Sequence, residues 1–136
     1  MTPMKERAAQ CICGGLRVTV RGEPADAYLC SCAYCQRKSG SAFTYAAIYP
    51  EAAVTITGEY RTWRHRGDAG RFLDNAFCPA CGGSVFFRAE AWPGMLGIAV
   101  GCFADRDFAT PARLFWASQR HRWLELPDAI ALIETQ

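Results

Sequence analysis

Phe77-Cys78-Pro79-Ala80-Cys81-Gly82-Gly83 is the stretch on which the fold turns. Two cysteines three residues apart, with proline between them and glycine after, describe a metal knuckle. Proline sets φ in the turn, and glycine lets the backbone curl so that N–H groups can face the sulfurs. The competing reading is a redox Cys-x-x-Cys, which would open a helix in a βαβ unit. Here the following residues, Ser84-Val-Phe-Phe-Arg88, read as a strand, and that favours structural zinc.

One such pair cannot close a tetrahedral site. Working outward, Cys11-Ile12-Cys13-Gly14-Gly15 can supply the other two thiolates. In an extended strand, residues two apart point the same way but stand too far apart for one zinc ion. The glycine pair permits the tighter bend that brings both sulfurs to one ion. Cys11, Cys13, Cys78 and Cys81 would then clamp the N-terminal segment to a distant hairpin and contribute directly to folding.

A third cluster, Cys30-Ser31-Cys32-Ala33-Tyr34-Cys35, brings seven of the eight cysteines into three tight groups. Such short spacings are awkward for disulfides, which need their Cα atoms in a narrow distance window. Three thiolates from one loop leave a fourth zinc position for water, substrate or a distant side chain, the arrangement of a catalytic zinc. An incoming thiol could bind there as thiolate, its pKa lowered from about 8.5 into the working range. Alternatively the site is a second structural zinc, closed by Cys102 or a histidine. Only His65 and His121 exist, and neither has metal-ligand spacing to the loop. Cys102, at the end of an apolar run, reads as a small core hydrophobe.

The surrounding periodicity is mostly two. Leu16, Val18 and Val20 alternate with Arg17, Thr19 and Arg21, and Val54 and Ile56 alternate with threonines. Residues 45–49, 60–64, 72–77, 84–88 and 95–100 are further strand candidates, separated by glycine- and proline-bearing turns. Helical signal is confined to a turn at Tyr34–Lys38 and short helices or turns within 112–119 and 127–133. The expectation is a mainly β domain over residues 1–136, with zinc-stapled antiparallel sheets, few short helices and its cysteine clusters on the connections.

Composition narrows the function classes. Hydrophobic residues make up 51% and charged ones 21%, an ordinary globular balance. The longest apolar run, Met95–Ala104, falls short of the ~18 residues a membrane helix needs. Residues 1–7 lead into no apolar signal core, so many thiols in a reducing cytoplasm is the expected setting. Seven thiolates and two zinc ions would take the formal charge from +2 to about −1, which removes the basic excess expected of a nucleic-acid binder. Arg61, Arg64, Arg66, Arg71 and His65 form one basic cluster and Arg113, Arg120, Arg122 and His121 another; most such charges face solvent. Trp63, Trp92, Trp116 and Trp123 read as core or pocket-rim residues.

Three motifs in this order carry a resemblance. Cys-x-Cys-Gly at 11–14, Cys-x-Cys-x-x-Cys-x-Arg-Lys-Ser-Gly-Ser at 30–41 and Phe-Cys-Pro-x-Cys-Gly at 77–82 resemble the glutathione-dependent formaldehyde-activating enzyme family, which includes centromere protein V. The late Pro111…Trp123-Leu-Glu-Leu-Pro127 segment extends the likeness over most of the chain. The resemblance implies a mainly β fold of the β-tent kind, shared with a class of Rab exchange factors. It implies structural zinc on Cys11, Cys13, Cys78 and Cys81, and catalytic zinc on Cys30, Cys32 and Cys35. The implied reaction is of the carbon–sulfur lyase class: condensation of glutathione with formaldehyde to S-(hydroxymethyl)glutathione, or its reverse. Where many relatives carry histidine after the first cysteine of the second motif, this chain has Ser31, which offers no neutral base near pH 7. The alternative from another class is a zinc-ribbon-like module that binds nucleic acid or protein without catalysis.

Overall fold

A computed structural model describes residues 4–135. Residues 1–3 and 136, the ends of the domain predicted over 1–136, lie outside the described residues. The alternation read at 16–21 holds: in β2 (Arg17–Arg21), Val18 and Val20 are buried and Arg17 is exposed. This strand pairs antiparallel with β1 (Glu6–Gln10) on one side and β5 (Val54–Thr57) on the other. Together they form a three-stranded sheet.

The second sheet is larger. Its strands are β3 (Asp26–Cys30), β4 (Thr44–Pro50), β6 (Arg61–Arg66), β7 (Phe72–Phe77), β8 (Ser84–Ala89), β9 (Met95–Ala99), β10 (Arg113–Phe115) and β11 (Ala131–Leu132). They lie in the order β11-β10-β3-β4-β9-β8-β7-β6. Pairing is antiparallel from β3 through to β6, as expected of the sheets. The other edge differs: β10 runs parallel to both β3 and β11. Residues 112–119 and 127–133, read as short helices or turns, therefore supply strands β10 and β11, with a 3₁₀ turn at Ala117–Gln119 between them. Their backbone groups find partners in the sheet edge, which outweighs weak local preference. The expected helical turn at 34–38 is α1 (Ala33–Ser39). No helix among the described residues is long and apolar enough to cross a membrane.

The period of two in the central strands decides where the cysteines lie. Ala47, Tyr49, Phe86 and Ile98 pack with Val18 and Val20 of the small sheet, in a buried cluster that includes Cys11 and Cys78. Their sequence neighbours Ala46, Ile48 and Phe87 face the other way, with Tyr28 and Cys30, and Cys32 and Cys35 pack against them. The two cysteine groups thus occupy opposite faces of the eight-stranded sheet. Gly97 makes one of those faces possible: a Cβ there would stand 2.1 Å from Cζ of Phe87. With no Cβ there, the far end of the Phe87 ring sits against β9.

Candidate metal centres

The first centre is built from two tight loops. Cys11 ends the strand pair with its N–H bonded to the Leu16 carbonyl, and Gly14, at φ +78°, closes the turn onto the Cys11 carbonyl at 3.1 Å. Cys78 follows a bulge at Ala76/Phe77 in β7, and Gly82, at φ +77°, turns the chain back with its N–H 2.8 Å from the Cys78 carbonyl. The bend expected at the glycines brings all four sulfurs within 4.8 Å of one another. Two separations are 3.6 Å (Cys11–Cys13) and 3.7 Å (Cys13–Cys78). A zinc ion with sulfurs at about 2.3 Å has a tetrahedral edge of about 3.8 Å, so these residues fit zinc. Backbone N–H groups of Leu16, Gly15 and Ala80 point at the sulfurs of Cys11, Cys13 and Cys78 at 3.3–3.4 Å.

Proton affinities agree with that reading. The Leu16 N–H is the main influence holding the Cys11 thiol down at about 6. Cys13 has a similar N–H from Gly15 favouring its thiolate, yet the sulfurs of Cys11, Cys78 and Cys81 push it up to about 11. Four sulfurs this close cannot all carry charge without a cation among them. Cys102 stands outside the four, donating to the Ser84 carbonyl at 3.3 Å and packed against the same core, with burial pushing its thiol up. It packs on the core as expected but is only partly buried. It also does not close the three-cysteine loop, because it belongs to the other cluster.

The second centre sits where β3 runs into α1. Cys30 is the last residue of β3 and is buried. Cys32, in extended conformation, caps α1: its sulfur accepts the N–H of Cys35 at 3.3 Å, as a serine oxygen would at an N-cap. Cys35 occupies the first helical turn, so one strand end and one helix start aim three sulfurs together, all within 4.8 Å of one another. Among the described residues no fourth His, Cys, Asp or Glu joins them. The thiols of Cys30 and Cys35 and the Cys35 N–H hold Cys32 well below the usual thiol range. Cys30, facing the other two sulfurs and buried, is pushed up.

Two glutamines brace this loop. The Gln36 side chain donates to the carbonyls of Ser31 and Gln119 at 2.7 and 3.1 Å, and Gln119 Oε1 accepts the Ala33 N–H at 2.9 Å. Neither residue was singled out in the sequence, because the brace needs the 3₁₀ turn at 117–119 beside α1. Ser31 is fully buried, its hydroxyl bonded to the Ala42 carbonyl at 3.1 Å. Its side chain belongs to the loop's underside, not to the sulfur site.

The three sulfurs open on a cleft of about 240 Å³, whose other walls include Tyr28, His65, Trp92 and Trp116. Tyr28 packs edge-on against Trp92 and Phe115, and burial together with the nearby sulfurs keeps its phenol protonated far above the usual value. Tyr34 stacks on His65 with centroids 3.8 Å apart, and its hydroxyl accepts from Asn75 Nδ2. His65 therefore reaches the cleft although its spacing from the loop carries no signal; strand pairing through β6 and β7 delivers it. Of the four tryptophans, Trp92 and Trp116 line this cleft, whereas Trp63 and Trp123 are largely exposed. In the first basic cluster, Arg61, Arg64 and Arg66 lie exposed on the edge strand β6, with Arg64 clamped to Asp74 at 2.8 and 3.0 Å.

A mainly β chain with a four-thiol and a three-thiol group on opposite faces defines a narrow class. The model of one protein family, described as glutathione-dependent formaldehyde-activating enzyme, matches residues 6–119 and so spans all seven clustered cysteines. The chain belongs to that family. Its fold is also similar to that of a solved Rhodobacter sphaeroides protein, a structural-genomics target. The TM-score is 0.54 at 21% identity, covering 76% of this chain and 91% of the other.

Proposed function

We propose that this protein is a zinc enzyme that joins glutathione and formaldehyde into S-(hydroxymethyl)glutathione and runs the reverse carbon–sulfur cleavage. Cys30, Cys32 and Cys35 hold the catalytic ion in this reading, and Cys11, Cys13, Cys78 and Cys81 the structural one. The observation that carries it is the three-sulfur group, which no fourth His, Cys, Asp or Glu joins among the described residues and which opens on a cleft. A tetrahedral ion held there keeps one position for a substrate sulfur. Zinc at that position would supply Lewis acidity that holds the incoming thiol as thiolate at neutral pH.

The chain's own residues supply the rest. In the forward direction a carbon–sulfur bond forms, the carbonyl π bond breaks, and the thiol proton ends on the former carbonyl oxygen. His65 is the imidazole of the cleft, and we assign it to take the thiol proton and return it to that oxygen. Tyr28, kept protonated by burial, can donate a hydrogen bond to the developing alkoxide. Trp92 and Trp116 give the cleft apolar walls. The Gln36–Gln119 brace keeps the sulfurs fixed while the fourth position exchanges.

The test is the rate of glutathione–formaldehyde adduct exchange, followed by NMR, against the spontaneous rate. Acceleration by the protein that is lost in Cys30→Ser supports the reading. No acceleration, or an unchanged rate in Cys30→Ser, overturns it.

A further inference from the structure

A second cleft, of about 460 Å³, adjoins the first at the stacked Tyr34–His65 pair, which lines both. It is walled by Trp63, whose indole stacks on His65, and it carries Arg37 and Lys38 of α1. Arg71 lines the first cleft together with the three sulfurs. Among the described residues no aspartate or glutamate lines either cleft, although the chain has 13 acidic residues. The cations are also unspent among the described residues: the four ion pairs use other residues, and no hydrogen bond ties the Arg37, Lys38 or Arg71 side chains. Lys38 lies three residues after Cys35 and so on the same side of the helix, its ammonium 4.3 Å from the centroid of Phe87.

Three thiolates around a divalent ion carry a net −1, which by itself repels an anionic thiol. Cations in both clefts offset that repulsion. Their placement also suits a particular shape of ligand, with sulfur in the middle and a carboxylate at either end. We propose that the two clefts form one trough for a dicarboxylate thiol peptide of the γ-glutamyl-cysteinyl-glycine type. Its sulfur meets Cys30, Cys32 and Cys35, one carboxylate meets Arg71, and the other meets Arg37 and Lys38. Tyr34 and His65 form the ridge over which the peptide bends. The inference rests on the glutathione reading above and adds the residues that select the thiol.

The test uses S-methylglutathione, which keeps both carboxylates but has no free thiol and forms no formaldehyde adduct. Its affinity for the zinc-loaded protein is measured by titration calorimetry in wild type, Arg71→Gln, the double variant Arg37→Gln/Lys38→Gln, and Arg17→Gln, a charge loss on the other sheet. Each trough variant is expected to bind about tenfold more weakly, the typical loss of one charge-assisted contact, while Arg17→Gln stays at the wild-type value. Added salt should reduce the gap. The same peptide amidated at one carboxylate or the other should bind wild type about tenfold more weakly. Each variant should then have become indifferent to one of the two amidations and not to the other. Affinities of the trough variants within twofold of wild type would overturn the proposal. So would equal responses of both variants to both analogues, or no wild-type binding. Because this readout involves no turnover, the trough can stand where formaldehyde exchange fails, and it can fail where exchange is found.

Discussion

Gly58 is the position where one added methyl group should do most harm for a stated reason. Its φ is +97°, and a Cβ built there stands 1.8 Å from the Gly15 carbonyl oxygen and 3.2 Å from the Leu16 Cα. Those backbone atoms are the loop that aims N–H groups at Cys11 and Cys13. An alanine therefore incurs two separate terms. Left-handed backbone for a residue with a Cβ costs about 1–2 kcal/mol. Relieving a contact shorter than a hydrogen bond, against backbone that cannot rotate away, adds about 1–3 kcal/mol. Gly94→Ala isolates the first term, since Gly94 has φ +79° and nothing within 4 Å of the added atom. For a chain of 136 residues, about 1 kcal/mol moves Tm by roughly 4 °C. Gly94→Ala should then lower Tm by roughly 4–8 °C and Gly58→Ala by roughly 8–20 °C. Gly58→Ala should also release its first-site metal faster to a chelator, followed with a colorimetric zinc indicator. Equal losses in the two variants, with unchanged metal release, would refute the claim that Gly58 supports the Cys11–Cys13 loop.

Three further outcomes follow from other parts of the structure. Cys78→Ser removes a buried member of the four-sulfur group and should yield protein that is largely unfolded by circular dichroism. Cys30→Ser should stay folded with one metal ion instead of two by elemental analysis. Gly97→Ala has no left-handed φ to strain, but its Cβ would drive Phe87 from its seat under Lys38. A loss of about 2 kcal/mol by urea unfolding is expected, together with weaker thiol binding. The phenols of Tyr28 and Tyr49 are held above 10 by burial, so the folded state keeps their protons longer than the unfolded chain. Their contribution is fully present below pH 10 and is lost as pH rises beyond it, at up to about 1.4 kcal/mol per pH unit for each phenol. Urea midpoints should fall steeply above pH 10, and less steeply in Tyr28→Phe.

Sequence and structure agree wherever the signal is local. The alternating strands at 17–21 and 54–57 and the glycine bends after Cys13 and Cys81 stand where the residues put them, because one face of each is buried or one turn needs a positive φ. β3 escaped notice because Tyr28, Leu29 and Cys30 are buried in succession on both faces of the sheet, leaving no alternation to read. β1, with Ala8 and Ala9 among polar residues, is a strand only through its register with β2. The four-plus-three grouping of the cysteines was legible because their spacing encodes it. The rest of the candidate site was not: Tyr28, Gln119 and the hairpin residues His65 and Arg71 come from three separate segments that the sheet brings around the loop. Ser31, which the sequence reading gave no base function, is fully buried in the fold with its hydroxyl on the Ala42 carbonyl.

The claim that the two cysteine groups have different jobs is tested most directly by the visible spectrum of the cobalt-substituted protein during a glutathione titration. Two tetrahedral thiolate centres absorb there, and each reports its own ligands. The account predicts that glutathione changes one of the two contributions, and that the change disappears in Cys30→Ser while the four-sulfur contribution stays as it was. A spectrum untouched by glutathione, or a change that persists in Cys30→Ser, would contradict it.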